Sequence, residues 1–206
     1  MKPIKDYSHC TIKGGGGSAR CCVYLMRHAQ TYGNSTGTMN GVRRDFGLTA
    51  KGREQAARAA RALTIKPAII LSSPQKRAMQ TASYIARKAG SRIEAISFLH
   101  EQDTGDWTGK RISTLQRKYP EKFVKYRGRL TRIFETSPGG ETMAQIRERA
   151  RRAIMLVKTR YRQRPVLIVT HGVVIRAFLY EAGLARTIGE AMAKRVPNCS
   201  IVRLAI

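Results

Sequence analysis

Cys21-Cys-Val-Tyr-Leu-Met-Arg-His28 is a short apolar run, Val23 to Met26, that ends abruptly on a cation and an imidazole. A run of this length bounded by polar residues reads as a buried strand over Cys21–Arg27. The same grammar recurs downstream. Pro67–Leu71 is a second buried strand, ending at Ser72-Ser73-Pro74, and Pro165–Thr170 is another, ending at Thr170-His171-Gly172. Helical periodicity fills the intervals. Thr49 to Leu63 is Ala-rich, with apolar positions on helical spacing and basic residues between them. Ser73-Pro74 opens a helix to about Lys88, with serine as N-cap and proline at the first helical position. Thr142-x-x-Gln145 is a capping box, and Met143, Ile146, Ala150, Ile154 and Val157 mark one buried face of a long helix. Further elements are a strand near Arg92–Phe98, short helical pieces around Ile112–Tyr119 and Lys122–Tyr126, a helix Val173–Glu181, and a last strand Ser200–Leu204. Strands alternating with helices imply an α/β fold with helices on both faces of the sheet.

The 206 residues carry 39 Lys+Arg against 13 Asp+Glu, a formal net charge of +26. At 42% hydrophobic residues, the composition is that of a folded chain rather than a disordered basic tail. No apolar run approaches the roughly 20 residues of a membrane span. Residues 1–20 hold no apolar core of a secretory signal, and Pro3 with Gly14–Gly17 argues against a mitochondrial amphipathic helix. They read as a flexible basic arm, leaving one domain over residues 21–206. Cys10, Cys21, Cys22 and Cys199 form no C-x-x-C pair, which favours a reducing compartment: the cytoplasm, with a mitochondrial or ribonucleoprotein-associated location as the alternative.

In open α/β sheets ligands collect at the carboxyl edge of the strands, so Arg27, His28, His171 and Arg77 (one turn into the helix after Pro74) can converge. The set suits phosphoryl chemistry. A neutral imidazole attacks phosphorus, arginines bind phosphate oxygens in bidentate fashion, and a carboxyl group must protonate the leaving oxygen. Glu101 is the leading candidate for that proton. Taken singly each residue is unspecific, since a lone histidine at a strand end is commonly structural.

The ordered set resembles the histidine phosphatase superfamily, also called phosphoglycerate mutase-like, over essentially all of residues 21–206. Leu25-Met-Arg-His-Ala-Gln-Thr-Tyr-Gly-Asn34 is similar to the signature L-x-R-H-G-[EQ]-T-x-x-N. Leu48-Thr49, Gly52 and Gln55-Ala56 form a second block, and Ser72-Ser-Pro, Arg77-Ala78 and Gln80-Thr81-Ala82 a third. Leu99-His-Glu101 with Gly105-Asp-Trp107 and Gly109, Pro138-Gly-Gly-Glu-Thr142, and Val169-Thr-His-Gly172 with Arg176 complete six blocks in order.

The resemblance implies a three-layer α/β/α sandwich with a mostly parallel sheet, and needs neither metal nor cofactor. It implies His28 as the nucleophile that becomes phosphohistidine, with Glu101 and His171 completing the catalytic set. Arg27, Arg77 and His171 would hold the phosphoryl group, with Asn34, Thr31 and Gly172 around it. Glu141 and Thr142 would line the substrate pocket. Three departures stand out: Ala29 replaces the usual glycine, Thr108 stands where a glutamate is usual, and no long insertion precedes Pro138. The last favours a phosphatase over a mutase. Trp107 reads as a packing aromatic, Asn198, Cys199 and Ser200 as serving the last strand, His9 as part of the arm and His100 as a surface residue.

The charge falls in clusters. Between Lys110 and Arg132 nine basic residues face Glu121 alone, with Tyr119, Phe123 and Tyr126 interleaved. The resemblance sets this stretch over the active-site mouth, where it would steer an anionic phosphorylated substrate inward. Between Arg147 and Arg164 eight more accompany only Glu148, and their mutual repulsion points to RNA or another polyanion. The rival to a phosphatase is therefore a basic nucleic-acid or ribonucleoprotein-associated protein that reuses the fold.

Overall fold

The computed structural model describes residues 5–7, 22–126, 129–133, 138–162 and 164–205. Eight strands and seven helices follow in chain order: β1 (Lys5–Tyr7), β2 (Cys22–Arg27), α1 (Tyr32–Thr36), α2 (Ala50–Arg61), β3 (Ile69–Ser72), α3 (Lys76–Ala89), β4 (Ile93–Ala95), α4 (Ile112–Lys118), β5 (Phe123–Tyr126), β6 (Arg129–Ile133), α5 (Met143–Arg160), β7 (Val166–Thr170), α6 (Gly172–Glu181), α7 (Ile188–Ala193) and β8 (Ile201–Ala205). The main sheet has the order β1-β8-β2-β7-β3-β4. β2, β7, β3 and β4 are parallel, whereas β8 runs antiparallel to β2 and β1 parallel to β8. Of the arm expected at residues 1–20, β1 is paired on the sheet edge and the remainder lies outside the described residues.

Side chains alternate across β2, so Val23 and Leu25 face one helical layer while Tyr24 and Met26 face the other. The first face packs on Ile146, Ala150, Ala153 and Val157 of α5 and on Ile175 and Phe178 of α6. The second packs on Ala59 and Ala60 of α2 and on Ala78, Ala82 and Ile85 of α3. Burial on both faces explains why the central strands are continuously apolar rather than alternating. The sandwich has the three layers expected.

Local differences have local causes. α3 starts at Lys76, after an N-cap at Gln75 whose side chain makes no capping bond because it is engaged with Gly41 O and Glu101 N, while the Ser73 hydroxyl accepts from Gln75 N (3.3 Å) and meets His171. The strand expected over Arg92–Phe98 is cut to β4, then turns into a 3-10 segment at Ser97–Leu99. Lys122–Tyr126, expected as helical, contributes β5 of a hairpin with β6, against which α7 packs. The capping box of α5 is present in full: Gln145 N donates to Thr142 Oγ1 (3.3 Å) and Thr142 N to Gln145 Oε1 (2.8 Å).

Candidate active site

The carboxyl ends of β2, β3 and β7 deliver His28, Ser73 and His171 to one edge of the sheet. His28 N donates to Thr170 O (3.0 Å), locking the start of the loop after β2 to the end of β7. Its ring Nδ1 stands 2.7 Å from Ala29 O. A carbonyl oxygen only accepts, so Nδ1 carries the proton and Nε2 keeps its lone pair. Burial holds the His28 pKa well below the ordinary value of 6.5, and the charges of Arg27 and Arg77 lower it further. The imidazole is thus neutral across the physiological range.

His171 lies behind it, with ring centroids 5.1 Å apart. Its Nε2 is 2.8 Å from Ser73 Oγ, while buried Nδ1 has no hydrogen-bond partner among the described residues. Burial, then Arg77, also lowers the His171 pKa well below 6.5. An orphaned buried ring nitrogen is costly unless a ligand completes it.

Arg27 donates from Nη1 to Val196 O (2.7 Å). Arg77, 2% exposed, is aimed by Gly41 O (2.9 Å) and Arg44 O (3.2 Å), with Asp45 at 3.5 Å. Burial lowers its pKa, while Glu101 and Asp45 push it back up. Gly41 is required for this arrangement: its φ is +53°, and a Cβ there would meet Thr104 Oγ1 at 2.6 Å. Gln75 also donates to Gly41 O (3.2 Å) and accepts from Glu101 N (2.8 Å), tying the carboxylate segment to the arginine cradle.

A cavity of about 510 Å³ is lined by Arg27, His28, Asn34, Arg77 and Glu101, with His171 fully buried behind His28 and not on the lining. Thr31 stands back from the wall. It caps α1 and exchanges hydrogen bonds with Asn34, fixing that side chain at the rim. Gly172 opens α6, where its carbonyl accepts from Arg176 Nη1 (2.7 Å), and it does not line the cavity.

Glu141 and Thr142, expected at the pocket, are not brought to its wall. Glu141 is clamped to Arg149 by paired bonds of 2.6 and 2.7 Å, and Thr142 is the N-cap of α5. The same cluster corrects the expected repulsion along Arg147–Arg164. Arg149 points inward, Arg147 and Arg151 share Glu181, and Arg160 pairs with Glu94.

The cavity also recruits residues that sequence reasoning did not assign. Asn198 Nδ2 donates to His28 O (2.8 Å) and Asn34 Oδ1 (3.2 Å), bridging the His28 backbone and the rim. Lys194 and Arg195 line the cavity from the stretch before β8, and Met39, Ile112 and Phe123 give it an apolar wall. Trp107 is buried, stacked on Tyr119 (5.2 Å) and Phe123 (6.0 Å), and does not line the cavity. Thr108 spends its hydroxyl on Thr104 (2.9 Å). His100 is half-buried, its Nδ1 against Glu101 O (2.7 Å). Among the described residues no cluster of three metal-ligating side chains occurs.

The family model described as "Histidine phosphatase superfamily (branch 1)" matches residues 23–206. The chain belongs to the histidine phosphatase superfamily. Phosphoserine phosphatase 1 of Hydrogenobacter thermophilus is 30% identical over 156 residues, 75% of this chain and 72% of that protein. A probable phosphoglycerate mutase of Salmonella paratyphi C is 32% identical over 186 residues, 88% of this chain and 83% of its own length. The solved structure of a mycobacterial glucosyl-3-phosphoglycerate phosphatase complexed with VO3 superimposes with a TM-score of 0.71 at 27% identity, covering 89% of this chain and 92% of that one. This histidine phosphatase is a phosphoric monoester hydrolase with the phosphoglycerate mutase-like fold. No helix among its described residues is long and apolar enough to cross a membrane.

Proposed function

We propose that the protein hydrolyses a small phosphorylated metabolite bearing a second anionic group, by double displacement at His28. The observation that carries this reading is His28 itself: Nδ1 tied to Ala29 O, Nε2 left basic, the ring neutral, and Arg27 and Arg77 beside it in one cavity with Glu101. Nε2 forms a bond to phosphorus as the ester P–O bond breaks. Glu101, as the acid, gives its proton to the departing alkoxide. Arg27, Arg77 and the open Nδ1 of His171 hold the phosphoryl oxygens as charge builds on them. Water then attacks the phosphohistidine, the Glu101 carboxylate takes its proton, and phosphate leaves with His28 neutral again.

Lys194 and Arg195 on the cavity lining support a second anion on the substrate, in keeping with relatives named for phosphoserine and glucosyl-3-phosphoglycerate. Lys110, Arg111, Arg117 and Lys118 are exposed on the segment around α4 and raise the local concentration of such anions. Without an insertion before Pro138, water rather than a second substrate hydroxyl receives the phosphoryl group. Among the described residues the thiols of Cys22 and Cys199 are free, and burial pushes that of Cys199 up to about 12.

A panel of phosphomonoesters, including phosphoserine and 3-phosphoglycerate, tests the reading. The wild type is expected to release phosphate and to carry acid-labile phosphate after rapid quench. His28→Ala is expected to lose both by about 10³-fold or more. Full activity in His28→Ala, or isomerisation of phosphoglycerate faster than its hydrolysis, refutes it.

A further inference from the structure

The sequence places its polyanion contact on α5 and the turn after it, yet four of those eight cations, Arg147, Arg149, Arg151 and Arg160, are paired with Glu94, Glu141, Glu148 and Glu181. A longer run of unpaired charge lies on the other helical layer. Between Ala50 and Arg92 are ten cations and one acid, Glu54. Arg77 is buried in the active site, and the other nine, Lys51, Arg53, Arg58, Arg61, Lys66, Lys76, Arg87, Lys88 and Arg92, are exposed. None of the nine forms an ion pair with a described residue.

A groove of about 520 Å³ runs along α3 within this face, lined by Arg53, Gln80, Ser83, Tyr84, Arg87 and Ile93. The Arg87 guanidinium lies over the Tyr84 ring at 4.9 Å, a flat cationic plate at the groove. We propose that the α2/α3 face, with the α3 groove, binds single-stranded RNA, at a surface separate from the catalytic cavity.

Charge and shape select this partner. Closely spaced like charges destabilise a bare surface and are relieved by a polyanion that tracks across it. A groove with Arg stacked on Tyr, flanked by the amide and hydroxyl of Gln80 and Ser83, suits an unpaired base, which stacks on guanidinium or aromatic planes. A lipid surface fits less well. The exposed large apolar side chains, Tyr32, Phe46 and Met155, lie on α1, on the loop before α2 and on α5, so the α2/α3 face has nothing to insert.

Fluorescence anisotropy with an oligouridylate of about 20 nucleotides, titrated with salt, tests the proposal on the full chain. Each neutralised phosphate adds roughly 0.7 to the slope of log K against log salt for a single strand. Lys51→Gln/Arg58→Gln/Arg61→Gln/Arg87→Gln therefore lowers that slope by about 2.8 and weakens binding by about 200-fold at ~0.15 M salt. Lys51→Gln/Arg87→Gln lowers the slope by about 1.4 and weakens binding by about 14-fold, and this milder variant decides the matter should the quadruple variant fail to fold. Arg147→Gln/Arg151→Gln/Arg160→Gln on α5 is expected to cost less than about fivefold, because those cations are already paired. Phosphomonoesterase activity, read in parallel, is unchanged in the double variant. An unchanged salt slope in the α2/α3 variants overturns the proposal, as does an equal loss in the α5 variant. So does binding to phosphatidylserine vesicles, with the same residue dependence, by a protein that ignores the oligonucleotide.

Discussion

Glu141→Gln separates a structural clamp from a substrate contact. Arg149 is buried, with side-chain exposures of 9% for it and 11% for Glu141. Its Nε and Nη2 donate to the two Glu141 oxygens, and Nη1 donates to Phe98 O (2.7 Å) and His100 O (2.9 Å). The amide is nearly isosteric with the carboxylate, so no cavity opens, but the Arg149 charge is left buried without a counter-charge. Breaking one side of a buried pair costs about 3–5 kcal/mol. For a domain of this size each kcal/mol is worth about 2–4 °C, so Tm is expected to fall by roughly 6–20 °C.

The pair also brackets Glu101, the proposed proton donor. Glu141 Oε2 accepts from Asp103 N (3.3 Å), Glu141 O accepts from Gln102 Nε2 (3.1 Å), and Arg149 holds the carbonyls before Glu101. Loosening this bracket lowers kcat by about tenfold, part of the 10²–10⁴ that a well-placed acid–base group supplies. KM stays near wild type, because Glu141 does not line the cavity. Glu141→Met/Arg149→Met loses less than the sum of the single variants, since no charge is stranded. The measurements are thermal unfolding and steady-state kinetics on the best substrate of the panel. A Tm change under about 3 °C together with a raised KM would show that Glu141 touches substrate and that the clamp is incidental.

Two further outcomes follow from the same geometry. His28 and His171 have folded pKa values below their unfolded 6.5, so the unfolded chain binds more protons as pH drops below that value. Their contribution to stability is complete above pH 6.5 and is lost on acidification at up to about 1.4 kcal/mol per pH unit each. His28→Asn should flatten urea-derived stability between pH 6.5 and 5 by about that slope, and identical slopes would contradict the neutral buried imidazole. Asn198→Ala removes the tie between the His28 carbonyl and Asn34 at little distance from the chemistry. It is expected to cut kcat by about tenfold while Tm falls only a few degrees, and a kcat equal to wild type would reduce Asn198 to a strand-entry residue.

What the sequence exposes, and what it hides, divides along physical lines. Most of the proposed catalytic set is legible because its members stand beside a local signal, a strand end or a helix start within a few residues. Arg27, His28, Arg77 and His171 converge by the rule that parallel strands share a carboxyl edge, whereas the choice of Glu101 and the role of each residue rest on the chemistry required and on the family resemblance. Asn198 lacks such a signal. It reaches the site because β8 runs antiparallel to β2, so the entry of the last strand, rather than its exit, meets the catalytic edge. Arg149 was hidden for a different reason: it occupies a buried-face position three residues after Ile146, where helical periodicity counts only apolar residues and reads a cation as surface. Its partner, eight residues away across the N-cap, turns the position inward. Charge misleads in the same way. Eight cations along Arg147–Arg164 look repulsive in one dimension, but Glu94 and Glu181 arrive from β4 and the end of α6 to pair with them. Of the cations on α2 and α3 only buried Arg77 meets a distant carboxylate, Asp45, so the exposed lysines and arginines around it form a surface that a polyanion would stabilise.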